Sequence, residues 1–352
     1  MVFIRTDANE IIATGHMMRC ITIAQEMLER NIEVIFLISD EQSRLLLDIQ
    51  GMKYIILNSK WNFLNTENEI EMLSKIFAQY LNRDRKDSLF LVDSYYVVNE
   101  YFERIRPFVK VAMIDDLSDS AFDVDILINF NAGCNQSVYQ SLYADKNVNL
   151  LLGSKYMPLR KQFYEVNSLQ SDIKEQKRVL LICGGANPQN VLVGFVEKFL
   201  EKNYGNTVTL ELVVGAYNDK LELFEEFSKQ HNNIQLHKNV TNMALLMKEC
   251  DVAISAASTV LYECCAMRLP TIFFVVADNQ QSDVAAFSKD HTMLFAGDIR
   301  TNRECVISKA FDFLTEILFD DNKKNEMKEK MGFLVDGFGT KRLVDVLMGE
   351  KQ

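Results

Sequence analysis

The chain has 352 residues, of which 48% are apolar and 25% charged, a composition typical of globular proteins that excludes collagen-like, mucin-like and disordered classes. At about 150 residues per domain, the length predicts two domains, each able to bury its own core. With 38 Lys+Arg against 49 Asp+Glu the net charge is −11, and no locally basic stripe is visible, so no nucleic-acid partner is expected.

Short β-branched runs alternate with longer helical patterns from end to end, as in parallel sheets covered by helices. In the first half the spacing predicts strands at Val2-Thr6, Glu33-Ile38, Tyr54-Leu57, Leu89-Asp93, Val109-Ile114, Ile126-Asn129 and Asn149-Leu152. Helices are predicted at Gly15-Arg30, Glu41-Gln50 and Glu67-Asn82. Polar, charge-mixed sequence from Ser154 to Lys177 breaks this rhythm and marks a connector. The expected division is a first domain over 1–157, a connector over 158–177 and a second domain over 178–352. In the second domain strands are predicted at Arg178-Ile182, Val208-Val214, Ile234-His237, Asp251-Ser255 and Thr271-Val276. Helices are predicted at Gln189-Lys202, Asp219-Gln230, Thr241-Glu249, near Val260-Met267 and Gln280-Lys289, and from Arg303 onward. The fold class is α/β, two doubly wound domains expected to face each other across a cleft, with ligand outside the carboxyl ends of the strands.

The opening run carries Arg5, Asp7 and Glu10, so it lacks the apolar centre of a signal peptide. The longest apolar stretches, such as Thr271 to Ala277, fall far short of the about 20 residues of a membrane span. Seven cysteines form no CxxC and no regular framework. A cytoplasmic location and core roles for most cysteines are therefore expected. A monomer is expected as well, though none of these features bears on it.

Polar residues concentrate at the carboxyl ends of the predicted strands. The first strand runs into Asp7, then Thr14, Gly15 and His16, with Arg19 in the first turn of the following helix. Thr14 is a candidate N-cap, and Gly15 allows a tight turn. The positive end of a helix disfavours imidazolium, so His16 there suits a general base; the competing reading is a histidine that only caps or packs. Asp93 with Tyr95 and Tyr96, and the pair Asp115-Asp116, also lie at strand ends, where capping of the next helix is the alternative role.

In the second domain, Gly184 and Gly185 at a strand-to-helix turn offer a phosphate cradle or a plain tight turn. Ser258 and Thr259 open another helix, and Glu263 on its first turn suits ribose hydroxyls or the helix dipole. Asn279 and Gln280 follow a further strand, where amide side chains can hold sugar hydroxyls and acyl groups. The remaining histidines, His231, His237 and His291, are scattered, so no metal and no cofactor are implied.

The run Ile4-Arg5-Thr6-Asp7-Ala8 with Gly15-His16-Met17-Met18-Arg19-Cys20 resembles the start of the UDP-2,4-diacetamido-2,4,6-trideoxy-β-L-altropyranose hydrolases, the PseG family. Asp93-Ser94-Tyr95, Ile114-Asp115-Asp116-Leu117, Asn129-Phe130-Asn131, Leu152 to Arg160, Gly184-Gly185 and Ala277-Asp278-Asn279-Gln280 continue the likeness in the same order. The resemblance implies the GT-B fold and inverting release of UDP from a nucleotide sugar in pseudaminic acid biosynthesis, for flagellin or surface polysaccharide. It further implies His16 as general base and substrate contact at Asn279. Gly184, Gly185, Ser258, Thr259 and Glu263 fall on the UDP side, and Asp7, Thr14, Gly15, Arg19, Asp93, Tyr95 and Gln280 on the sugar side. Two departures stand out. Ile12-Ala13-Thr14-Gly15-His16 lacks the first glycine of the usual Ile-Gly-x-Gly-His, and Ala257-Ser258-Thr259-Val260 replaces Gly-Gly-Ser-Thr. A GT-B glycosyltransferase using a UDP-sugar donor, or a non-catalytic nucleotide-sugar-binding protein, remains the alternative.

Overall fold

The structure is a computed structural model that describes residues 1–64, 66–80, 88–117, 120–166, 176–183, 190–215, 218 and 220–350. The chain divides into two compact units, Met1–Arg160 with Phe338–Gln352, and Lys161–Gly337.

In the first unit the strands β1 (Val2–Arg5), β2 (Val34–Ile38), β3 (Tyr54–Ile56), β4 (Leu89–Asp93), β5 (Lys110–Ile114), β6 (Ile126–Asn129) and β7 (Asn149–Leu152) form one parallel sheet. Its order is β3-β2-β1-β4-β5-β6-β7. The helices are α1 (Gly15–Glu29), α2 (Arg44–Ile49), α3 (Glu67–Tyr80), α4 (Asn99–Ile105) and α5 (Gln136–Leu142). β1, β2 and β4 are buried along their whole length, which is why, apart from the terminal Arg5 and Asp93, they read as continuous apolar runs and not as alternating ones.

The second unit begins with α6 (Gln162–Glu165). Strands β8 (Lys177–Ile182), β9 (Val208–Val214), β10 (Ile234–Lys238), β11 (Val252–Ala256), β12 (Thr271–Val275) and β13 (Leu294–Asp298) form a second parallel sheet in the order β10-β9-β8-β11-β12-β13. Its helices are α7 (Val191–Lys202), α8 (Leu221–Gln230), α9 (Met243–Lys248), α10 (Thr259–Ala266), α11 (Gln281–Ser288), α12 (Arg303–Ile317) and α13 (Asp321–Leu334). The last helix, α14 (Gly339–Leu347), belongs to the first unit. Both sheets reverse strand order about their first strand, the doubly wound arrangement the βα rhythm predicts.

Several local expectations differ. The stretch Glu41-Gln50, read as one helix, is a 3₁₀ turn followed by α2. The Ser43 hydroxyl accepts from Ala8 N at 2.8 Å and donates to Ala8 O at 3.2 Å, which pins the turn to the loop after β1. The short helices α4 and α5 and the strand β13 carried too little periodic sequence to be read; β13 is an edge strand interrupted by Gly297 at φ +135. Residues 338–350, expected in the second domain, belong to the first unit. Gly339, Thr340, Leu343, Val344 and Leu347 are the buried face of α14. The Thr340 hydroxyl donates to Leu159 O at 2.7 Å, and Arg30 Nη1 donates to Asp345 Oδ1 at 2.5 Å.

Arg5, wholly buried at the carboxyl end of β1, ties that end to two helices. Its Nε donates to Glu69 Oε1 at 2.9 Å, its Nη1 donates to Asp7, and Tyr101 donates to Glu69 Oε1 at 2.8 Å. Burial works against both ions, but their pairing outweighs it: Arg5 is held more firmly protonated than usual and Glu69 below its ordinary range. Among the described residues no helix is long and apolar enough to cross a membrane. Cys20, Cys183, Cys264 and Cys265 are buried, whereas Cys305 is exposed.

Candidate active site

In the first sheet the strand order reverses between β1 and β4, which run parallel, so the residues leaving these two strands emerge side by side at the carboxyl edge. α1 starts there after a short loop. Asn9 Oδ1 accepts from Ile11 N and Ile12 N, and Ala13 takes the left-handed conformation at φ 55, which glycine adopts without steric cost. The tight turn therefore falls on Ala13. At Gly15, expected to make it, an added Cβ would meet open space. Thr14 is the N-cap residue, but its side chain makes no capping bond and is exposed.

In the first turn of α1, His16 meets Asp93 at the end of β4, with Nδ1 at 2.6 Å from Oδ1. Arg19, one turn further, clamps the same carboxylate through Nε to Oδ2 at 2.6 Å and Nη2 to Oδ1 at 2.5 Å. Its Nη1 donates to Asp116 Oδ2 at 2.8 Å, and its guanidinium lies over the Phe130 ring at 5.2 Å. Cys20 adds a thiol donor to Asp93 Oδ2 at 3.4 Å. Asp93 is thus a junction of side chains; the cap of α4 is Val98, so the helix-capping alternative for Asp93 does not hold.

Burial alone would raise the Asp93 carboxyl. The Arg19 and His16 partners reverse this and hold it far below the ordinary carboxylate range, so it is ionised and acts only as an acceptor. An acceptor within 2.6 Å of Nδ1 requires the proton on Nδ1, and in the neutral ring this leaves the lone pair on Nε2. Arg19 Nη2, 3.0 Å from the same nitrogen, is then in contact with it but bonded to Asp93.

The His16 side chain is 8% exposed and borders a small cavity with Asp7, Ile12, Trp61, Asp93, Ser94, Tyr95 and Tyr96. Tyr95 packs edge-on to the imidazole with centroids 4.4 Å apart, and its hydroxyl donates to Asp116 Oδ2 at 3.3 Å. Partial burial, then the Asp116 charge, push the Tyr95 phenol up to about 12. Asp7 faces the cavity, but its Oδ1 accepts from Ser39 N and Oγ at 2.8 and 2.9 Å and its Oδ2 from Arg5. A second cavity of about 250 Å³ shares Ser94 and Tyr95 with the first and is lined further by Val98, Met113, Asp116 and Phe122.

Of the residues singled out from sequence, the first unit thus brings together His16, Arg19, Asp93 and Tyr95, with Asp7 at the cavity wall and Thr14 and Gly15 at the outer start of α1. Sequence reasoning missed Arg5, Glu69 and Tyr101 as the brace beneath the site, and Trp61 as part of its wall, whereas Tyr96, read with Asp93 and Tyr95 at the end of β4, does line the cavity. A charged residue ending the otherwise apolar β1 was the available signal for Arg5.

In the second unit Ser258 caps α10, its hydroxyl accepting from Val260 N at 3.4 Å, and Thr259 is exposed at the first helical position. Glu263 is half-buried within the same helix. Gln280 accepts from Val276 N at 2.8 Å, and a 3₁₀ turn spans Asp278–Gln280. These residues follow the carboxyl ends of β11 and β12. Gly184, Gly185 and the Asn279 side chain lie outside the described residues. Among the described residues no group of three or more His, Cys, Asp or Glu is placed to hold a metal ion.

Residues 179–337 match the family model of the glycosyltransferase family 28 C-terminal domain. The chain is 26% identical over 283 residues to an uncharacterised protein of Methanocaldococcus jannaschii, covering 77% of this chain and 54% of that protein, about half its length. It is 25% identical over 291 residues to the UDP-2,4-diacetamido-2,4,6-trideoxy-beta-L-altropyranose hydrolase of Campylobacter jejuni, covering 82% of this chain and 96% of that protein. In fold it is similar to the crystal structure of Acinetobacter baumannii MurG, with a TM-score of 0.67, 14% identity and 98% of each chain covered. The chain therefore has the two-unit, parallel-sheet α/β fold of the GT-B proteins, and the sequence of its second unit matches the C-terminal domain of glycosyltransferase family 28.

Proposed function

We propose that the chain hydrolyses a UDP-linked deoxy-diacetamido sugar at its anomeric carbon, with inversion, releasing UDP and the free sugar toward a nonulosonic acid of pseudaminic type. The observation that carries this reading is the 2.6 Å contact between His16 Nδ1 and Asp93, locked by Arg19. It prepares an imidazole with an available Nε2 lone pair, as a general base requires. The likeness to the Campylobacter jejuni hydrolase over 82% of the chain supports the substrate class.

In the reaction His16 Nε2 takes a proton from water as the water oxygen bonds to the anomeric carbon. The bond from that carbon to the diphosphate oxygen breaks, and its electron pair leaves with UDP. Asp93 keeps the ring oriented and stabilises the imidazolium that forms. Two carboxylates, Asp93 and Asp116, share one guanidinium, Arg19, so this edge of the first unit favours developing positive charge and disfavours a diphosphate. The diphosphate is assigned to the second unit, to the Gly184-Gly185 turn and the start of α10 at Ser258 and Thr259, with Glu263 on the ribose and Asn279 and Gln280 on the sugar. Because UDP leaves as a stabilised anion, a single positioned base suffices.

A second reading, transfer of the sugar to an acceptor hydroxyl, is favoured by the family 28 match of the second unit. The test is a panel of UDP-sugars without acceptor, with UDP release followed and the free sugar identified by mass. Hydrolysis predicts acceptor-independent UDP and a water-derived oxygen at the anomeric carbon. His16→Asn should lower the rate by about 10²- to 10⁴-fold while UDP still binds. UDP formed only when an acceptor is added would establish the transferase, and near-normal turnover by His16→Asn would reject the base.

A further inference from the structure

Asp116 follows β5 and makes no hydrogen bond to His16, yet it holds both groups that press on the ring. Its Oδ2 accepts from Arg19 Nη1 at 2.8 Å and from the Tyr95 hydroxyl at 3.3 Å, and its Oδ1 accepts from Asn131 Nδ2 at 3.0 Å. Arg19 reaches the imidazole through Asp93 and by the 3.0 Å approach of Nη2 to Nδ1; Tyr95 reaches it by the 4.4 Å edge contact. One carboxylate therefore couples the guanidinium on one side of the ring to the phenol on another.

Packing does not do this work for Tyr95. The residue is 45% exposed, and it also lines the 250 Å³ cavity walled by Val97, Val98, Met113 and Phe122, which His16 does not line. Without the bond to Asp116, the phenol has room to swing into that space. Arg19 would keep its two bonds to Asp93 but lose the carboxylate that fixes the far end of its fork.

We infer that Asp116 is a positioning residue for the His16 base: by gripping Arg19 and Tyr95 together it fixes the plane of the imidazole and the Nδ1–H bond to Asp93, and Asn131 in turn fixes Asp116. The chain of hydrogen bonds runs Asn131–Asp116–Arg19–Asp93–His16, with Tyr95 as a branch. Asp7 and Tyr96 border the same cavity as His16, Cys20 donates to Asp93, and Asp115, beside Asp116, is engaged by Leu117 N and the Tyr139 hydroxyl. The inference rests on His16 acting as the base; the ring order it concerns can be read without turnover.

The test is Asp116→Asn, which keeps size and removes the charge that holds Arg19. Expected is a fall in kcat of about 10- to 100-fold with KM changed less than about twofold, the pattern of a lost orienting partner and not of lost binding. In parallel, nitrogen-edited NMR of the imidazoles follows the Nδ1–H of His16, assigned by its disappearance in His16→Asn. In Asp116→Asn this proton signal should broaden or vanish by exchange with water. Asn131→Ala should move both readouts the same way, by less. A folded Asp116→Asn protein with wild-type kcat and an unchanged His16 signal overturns the inference, as does a raised KM at unchanged kcat, which would make Asp116 a substrate contact. If Asp116→Asn does not fold, Asn131→Ala decides by the same readouts, wild-type values counting against the inference. Since the NMR signal needs no substrate, absence of UDP release by the wild-type protein would reject the proposed hydrolysis and leave the positioning role to be judged on the ring alone.

Discussion

Replacing Asp93 by Asn strikes the fold and the chemistry at once. The carboxylate receives Arg19 Nε and Nη2, His16 Nδ1 and the Cys20 thiol and is fully buried, so its loss leaves a nearly buried guanidinium with Asp116 alone. Removing one partner of a buried ion pair costs about 3–5 kcal/mol; because Arg19 keeps Asp116 and is 16% exposed, the lower end applies, about 3 kcal/mol. For a unit of this size each kcal/mol moves the melting temperature by about 2–4 °C, so a fall of about 6–12 °C is expected. Trp61, the single tryptophan, borders the His16 cavity and packs on Tyr96 with centroids 4.9 Å apart, so its fluorescence reports the first unit specifically. Turnover should fall by about 10³- to 10⁴-fold, because an amide turned toward the ring no longer selects the Nδ1–H tautomer. The double variant His16→Asn/Asp93→Asn should be hardly slower than His16→Asn alone, since both changes remove one unit of function. Melting within about 2 °C of wild type together with wild-type UDP release would refute the reasoning, and full additivity of the two losses would refute the dyad.

Ala13 occupies a left-handed position that costs an L-residue about 1–2 kcal/mol, against about 0.5–1 kcal/mol of added chain entropy for glycine. Ala13→Gly should therefore raise the melting temperature of the first unit by about 1–2 °C, and Ala13→Val should lower it. At Gly339 a Cβ would lie 2.3 Å from Met157 O and 2.7 Å from Met157 N, both backbone atoms. Gly339→Ala should destabilise the first unit by about 2–3 kcal/mol, read from Trp61 melting, and expose the α14 segment to limited proteolysis. Asp93 and Glu69 are both held below their unfolded values, so the stability they supply is complete above the unfolded carboxylate range near about 4 and drains away as pH falls below it. Urea midpoints followed by Trp61 should drop between about pH 5 and pH 2, more shallowly in Asp93→Asn; parallel curves for the two proteins would count against the carboxylate's role.

The parallel-sheet class was legible because buried strands such as β2 and β12 are short apolar runs set between amphipathic helices, a signal carried by each segment alone. The helices α4 and α5 and the strand β13 were illegible for the converse reason: two turns of helix, or an edge strand broken by Gly297, contain too few residues to display a period. The membership of α14 was also hidden. Its apolar stripe announces a buried face, but only Gly339 against the Met157 backbone and Arg30 with Asp345 decide which sheet receives it.

At the candidate site, the sequence by itself placed His16, Arg19, Asp93 and Tyr95 at strand ends and helix starts, where backbone geometry concentrates polar side chains. It did not disclose that Arg19 would clamp Asp93, that Asp93 would take the Nδ1 proton of His16, or that Asp116 would join Arg19 to Tyr95. Those pairings span between 74 and 97 residues of chain where Arg19 is concerned, and no local propensity reaches that far. Strand order alone brings β1, β4 and β5 into adjacency, and only that adjacency turns scattered charges into one hydrogen-bonded assembly.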